Sequence, residues 1–245
     1  MADVPIGLFP LSEKSLKDDQ VTAYQGQMKD LYLALVELNC NIYIMERILD
    51  FPYRLFDDEC VSDGLFFDLT VTNFLQASTL LITKVATDAR SEHISLPALI
   101  RRLPYMVKRE CLSKLNDLLN AIDFDQKTHQ LLEKAKSIRD TRIAHFDRKP
   151  TQDQLTLLEI KALRDELNSL LQALSFDGEY VMLPYGYESQ RGDVDWVLDS
   201  IAKNSSLLKM PEHDPSRWRH ARPHLSDNDI RELNIYRAKF GLPEV

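Results

Sequence analysis

Val21, Tyr24, Met28, Leu31, Leu35, Leu38, Ile42, Met45 and Leu49 recur three and four positions apart, the spacing of one helix face, until Phe51-Pro52 stops the run. A second row (Leu33, Val36, Cys40, Ile44, Ile48) widens that face beyond a coiled-coil seam. The predicted helix is roughly 45 Å long at about 1.5 Å per residue, enough for a monomer core or a dimer interface. Residues 53–64 are acidic and turn-like. Phe66 to Ala86 is then apolar on most sides, which predicts a central, buried helix. Ser95 caps a short helix with Pro97 in its first turn, and Pro104 ends or kinks it. Helical spacing resumes at Val107, Cys111, Leu115, Leu118 and Ile122.

Asp125 or Thr128 starts the next helix, whose stripe is Leu131, Leu132, Ala135 and Ile138. Thr151-x-x-Gln154 reads as a capping box for a following helix carrying Leu155 to Leu174. Phe176-Asp177-Gly178 breaks the pattern. Beyond it come an extended strip at Tyr180–Tyr187, a short helix from Asp193 to Ala202, a proline-punctuated irregular stretch at 210–225, and a last helix capped by Ser226-x-x-Asp229. The whole pattern predicts an all-α bundle over 17–175, an irregular lead-in at 1–16, and a smaller mixed C-terminal appendage with short helices at 176–245.

Composition narrows the function classes. With 245 residues, 7 Gly, 44% hydrophobic and 28% charged residues, the chain reads as soluble, globular and rich in regular structure. Its net charge of −8 argues against general coating for nucleic acid, although a local basic patch survives in an acidic whole. No run has the apolar length of a membrane span, and the start lacks a signal-peptide pattern, so a cytoplasmic protein is expected. Cys40, Cys60 and Cys111 have neither metal-ligand spacing nor a disulfide-framework count. There is no P-loop, dinucleotide glycine motif, His-Glu-x-x-His or Gly-x-Ser-x-Gly, and the six histidines are dispersed. No metal and no cofactor are expected.

Ser137 to Arg148 stands out. At α spacing the apolar stripe that ends at Ile138 continues onto Arg142 and then His145, with Arg139, Asp140, Asp147 and Arg148 alongside. The structural reading is a helix C-terminus whose cations complement the dipole and pair with Asp140 or Asp147. Two other basic groups have similar plain readings. Arg101, Arg102, Lys108, Arg109 and Lys114 form either a solvated face or a track for an RNA backbone. Arg217-Trp218-Arg219-His220 has the composition of a base-stacking platform, against the plainer reading that Trp218 packs the tail onto the core.

Arg139, the acidic Asp140, and His145 after five intervening positions resemble the signature of the HEPN superfamily: Arg, four to six residues, then His, often with Asn, Asp or His after the Arg. The fuller string Arg-Asp-x-x-Ile-Ala-His-x-Asp is similar to the abortive-infection branch, the AbiU-like proteins, and Ser95-Leu96-Pro97-Ala98-Leu99 fits that branch too. The resemblance implies a HEPN-like helical bundle and a metal-independent endoribonuclease, acting in phage defence or as a toxin, with RNA as substrate. Arg139 and His145 are then catalytic and Asp140 a polar helper that orients them. Arg142 matches no fixed family position, but it lies one turn before His145, and with Arg148 and Lys149 it is a candidate to grip substrate phosphates. Histidine suits the base that deprotonates a ribose 2′-hydroxyl, and arginine's planar fork suits the charge growing on phosphate.

Positions six apart on a straight α-helix lie about 240° round, so Arg139 and His145 do not share a face. Either the helix distorts within the motif or a second subunit completes the site, and in HEPN ribonucleases a homodimer is usual. His145-Phe146-Asp147 departs from toxins ending His-x-Tyr, whose tyrosine is modified by a partner nucleotidyltransferase. An antitoxin of that kind is therefore doubtful, while another antitoxin or defence-system partner stays open. The alternative function is a non-catalytic HEPN-like dimeric binding or scaffold module. A third is an unrelated bundle with a salt-bridged helix end.

Overall fold

The computed structural model describes residues 11–56, 65–87, 94–122, 124–143, 154–176 and 188–245. The described residues are all-α, in the manner of a HEPN-like bundle. They hold α1 (Val21–Asp50), α2 (Tyr53–Phe56), α3 (Leu65–Thr87), α4 (Leu96–Met106), α5 (Leu112–Ala121), α6 (Gln126–Ile138), α7 (Leu157–Leu174), α8 (Glu188–Asn204), α9 (Ser206–His213), α10 (Pro215–Ala221) and α11 (Asp227–Lys239). Their only extended pairing is an isolated antiparallel bridge between Leu16 and Val107. None of these helices is long and apolar enough to cross a membrane. Of the turn-like stretch expected at 53–64, Tyr53–Phe56 instead form the helix α2; residues 57–64, the expected loop at 88–93 and the expected strip at 180–187 lie outside the described residues.

The chain divides into two compact units, one within Met1–Ile42 and Phe74–Gly186, the other within Tyr43–Asn73 and Tyr187–Val245. In the first, α1 buries Tyr24, Met28, Leu31, Leu35, Leu38 and Ile42, as its periodicity predicts. The Tyr24 hydroxyl donates to the Leu174 carbonyl at 2.6 Å, and its ring stacks on Phe176 at 5.3 Å, which fixes the start of α1 against the end of α7. Residues 12–17 are tied down as well. Lys17 N–H donates to the Met106 carbonyl and Lys108 N–H to the Ser15 carbonyl, both at 2.8 Å, with Leu16 fully buried between them.

Ser95 caps α4 by accepting from Ala98 N–H, and Pro104 sits inside the helix, which runs on to Met106. α7 starts at Leu157, not at 151–154. Thr156 and Glu159 bond each other's backbone N–H reciprocally. A carboxylate at this third helical position suits the positive end of the helix better than the amide of Gln154 would.

The second unit has its own core: Ile48, Phe51, Leu55, Phe56, Phe67, Leu198, Ala202, Leu208 and Leu233. Residues from Glu188 onward thus share a core with the end of α1 and the start of α3. The stretch 210–225 is helical rather than irregular. Pro215 opens α10, and Pro223 lies at the start of a 3-10 turn (Arg222–His224). Proline's missing N–H costs little there because first-turn N–H groups have no helical partner anyway. Trp218 packs half-buried against this core, so the plainer of its two readings holds.

Arg237 on α11 is fully buried in the second unit. Its guanidinium bonds Glu212 and the Leu208 carbonyl, and its Nε donates to the Pro243 carbonyl at 2.7 Å. That last carbonyl arrives because Gly241, at φ 72°, turns the chain back. Leu242 N–H then donates to the Arg237 carbonyl and Gly241 N–H to the Ala238 carbonyl. Asp195 of α8 accepts from Arg47 Nε at 2.6 Å and from the Tyr43 hydroxyl at 2.8 Å.

Five residues expected on buried faces are exposed. Phe66, Leu69 and Leu80 are 62%, 53% and 40% exposed, so α3 is not buried all round, and Leu33 and Leu49 on α1 are exposed too. Apolar composition states what a helix can bury, not how many neighbours surround it.

Two predictions follow from these polar contacts. Arg237→Ala removes the partner of Glu212 and of two carbonyls, and urea denaturation should show a loss of about 3 kcal/mol. Burial raises the Asp195 carboxyl, but Arg47 and Tyr43 outweigh it and hold it below the usual range; burial likewise opposes, and Lys134 and Thr156 override, in Glu159. A depressed carboxylate contributes stability above its unfolded value and loses it as pH falls through the folded one. The melting temperature should therefore drop on acidification below about pH 4, and less steeply in Arg47→Gln with Lys134→Gln.

Candidate functional site

α6 carries the start of the motif, and its placement is built from both ends. Asp125 caps it, accepting from Thr128 N–H at 2.7 Å, and that same bond pulls the Asp125 carboxyl below its ordinary value. Thr128, Leu132, Ala135 and Ile138 are buried one and two turns apart and fix the rotation of the helix, which packs on α7. Lys134 Nζ lies 2.8 and 3.0 Å from the two oxygens of Glu159 on α7, so the helix is held by charge as well as by apolar contact.

At Arg139 the helix distorts. Arg139–Ile143 form a π turn, in which hydrogen bonds run five residues back instead of four. This is the first of the two alternatives that the angular argument left open. The local chemistry supports it. The Thr141 hydroxyl donates to the Ser137 carbonyl at 2.8 Å, competing with the regular ladder, and Arg139 N–H is shared between the Ala135 and Lys136 carbonyls.

Arg139 and Asp140 are brought together. Arg139 Nε donates to Asp140 Oδ1 at 2.7 Å and a terminal nitrogen lies 2.6 Å from the same oxygen. The Arg139 side chain is 27% exposed, half-sheltered yet open to a ligand. Among the described residues its guanidinium has no other side-chain partner, so its remaining donors are free for an anion. The backbone of Arg142 lies on the π turn; its side chain, and the whole of His145, Arg148 and Lys149, lie outside the described residues.

Of the second basic group, Lys108 is engaged locally. Its Nζ donates to the Lys14 carbonyl at 2.9 Å and faces Asp18 at 3.7 Å. Cys40 is buried, Cys111 half-buried, and Cys60 lies outside the described residues.

Sequence reasoning passed over Arg164. It is buried on α7, donates to Asn39 Oδ1 at 3.0 Å and to Asp165 at 2.6 Å, while Asn39 donates to the Leu35 carbonyl at 2.8 Å. The signal was present: Arg164 falls between Ile160 and Leu167 on the leucine stripe, where an unpaired cation would be costly.

No curated protein and no solved structure matches the chain. A family model does: the AbiU2 model of the HEPN proteins matches residues 62–177, a span that contains α6, the π turn and the whole Arg139-to-His145 signature. Over residues 62–177 the chain is thus similar to the AbiU2 branch of the HEPN superfamily.

Proposed function

We propose that the chain is a metal-independent endoribonuclease of abortive-infection type, working as a homodimer. The observation that carries this reading is Arg139, part-exposed on a π turn with donors to spare, inside the segment matched by the family model. π turns gather at functional sites because they spend regular hydrogen bonding to place a residue where an α-helix would not.

In the proposed reaction His145 takes the proton from a ribose 2′-hydroxyl. The 2′-oxygen attacks the neighbouring phosphorus, the P–O5′ bond breaks, the leaving 5′-oxygen takes a proton from water, and a 2′,3′-cyclic phosphate and a 5′-hydroxyl remain. Arg139 donates to the non-bridging oxygens as their charge grows. Asp140 holds the Arg139 fork in place and is a positioning residue. Arg142, Arg148 and Lys149 take neighbouring phosphates. A homodimer brings two such motifs next to each other, in addition to the distortion that the π turn makes at Arg139.

The second reading is a non-catalytic dimeric binding module. The net charge of −8 favours it, since an enzyme on a polyanion gains from a positive field.

The test is cleavage of a mixed RNA pool in EDTA. Wild type should give fragments ending in cyclic phosphate. His145→Ala should lose on the order of 10²–10⁴ in rate. Arg139→Ala should lose about 10²–10³. Asp140→Asn, which keeps the shape but weakens the hold on Arg139, should lose less than either. Equal cleavage by wild type and His145→Ala would remove His145 from the mechanism, and a folded wild type that binds RNA without cutting it would favour the binding module.

A further inference from the structure

We infer that the outer face of α9, α10 and the following 3-10 turn, residues 209–224 in the second unit, is a contact surface for the backbone of single-stranded RNA. This rests on the RNA-acting reading above and adds a substrate surface distinct from the Arg139 motif. The stretch carries Lys209, Arg217, Arg219 and Arg222, with His213, His220 and His224, in a chain whose overall balance is acidic.

Its two carboxylates are spent internally. Glu212 bonds the buried Arg237, and Asp214 caps α10 by accepting from Arg217 N–H at 2.9 Å. Arg237 offsets the charge of Glu212, which leaves Asp214 alone against Lys209, Arg217, Arg219 and Arg222.

The arginines are unpaired. Arg47, Arg139, Arg164 and Arg237 each bond a carboxylate. Among the described residues, Arg217, Arg219 and Arg222 have no ion-pair partner, and Arg219 donates only to the Pro215 carbonyl at 3.3 Å.

Helical geometry then sets the face. Trp218 is anchored in the core of the unit, and Leu225 beyond the turn packs there too. With that side fixed inward, the outward arc of α10 is Ser216, Arg217, Arg219 and His220, all exposed and none acidic. Arg217 and Arg219 stand on opposite flanks of that arc with Ser216 and His220 between them, so the face offers guanidinium donors across its width to a phosphate backbone laid over it. Trp218 is held by the core, so the surface reads charge rather than stacking bases. The expected binding is salt-dependent and weak in sequence preference.

The test uses the full chain and a fluorescent 2′-O-methyl oligoribonucleotide of mixed sequence, which has no 2′-hydroxyl to attack and so separates binding from cleavage. Arg217→Gln, Arg219→Gln and Arg222→Gln together should weaken binding roughly 10- to 100-fold and lower the slope of log K against log salt by about 2. A control triple, Lys29→Gln, Lys84→Gln and Lys203→Gln, removes the same charge from exposed positions elsewhere and should have little effect. Circular dichroism melting checks that both triples fold.

Unchanged binding in the arginine triple, or equal weakening in both triples, overturns the proposal. So does binding to anionic phospholipid vesicles with none to RNA. If the arginine triple abolishes binding while no preparation cleaves RNA, the surface stands and the ribonuclease reading falls. His145-dependent cleavage with arginine-independent binding reverses that outcome.

Discussion

Burial of apolar side chains of α1 underlies each core taken by itself. Tyr24, Met28, Leu31, Leu35, Leu38 and Ile42 are buried in the first unit, and Ile48 belongs to the core of the second. The contribution is large, since each fully buried aliphatic side chain is worth about 1.5–3 kcal/mol against exposure. A helix of thirty residues has little stability of its own beyond what such packing supplies. Everything placed relative to α1 inherits its rigidity. Tyr24 holds the end of α7, Asn39 satisfies the buried Arg164 of α7, and α7 in turn holds α6 through Lys134 and Glu159.

That chain of contacts ends at the motif. α6 is capped at one end by Asp125 and locked by charge near its middle, and only after Ile138 does the backbone leave the α ladder. A distortion at the end of a well-held helix is a defined feature, because the preceding turns cannot rotate to absorb it. Asp140 next to Arg139 serves the same end on the side-chain scale. One carboxylate oxygen takes two N–H donors, orienting the guanidinium while leaving other donors for an anion.

The second unit shows a different use of arginine. Arg237 is buried against Glu212 and two carbonyls, so it acts as a polar core residue, whereas Arg217, Arg219 and Arg222 have no ion-pair partner among the described residues. The difference is not in the residue type. It comes from the positions that carboxylates and carbonyls reach once the chain has folded, including the turn at Gly241 that returns the Pro243 carbonyl.

Much of this was legible from the chain itself. Three-and-four spacing located α1 and α3 to within a residue or two, and Ser95, Asp125 and Ser226 marked helix starts because their side chains satisfy N–H groups that no helix can. The Arg139-to-His145 spacing identified the family because a motif is a local property of sequence. Periodicity could not show that the helix would leave α geometry at Arg139, since that depends on Thr141 and on how firmly the preceding turns are held. Nor could it show that Arg164 and Arg237 are inside while Phe66 and Leu69 are outside. Local sequence by itself determined where helices begin, which face is apolar and which signature is present. Only the tertiary structure decided which faces find neighbours and which charges find partners, because burial and pairing depend on residues far apart in the chain.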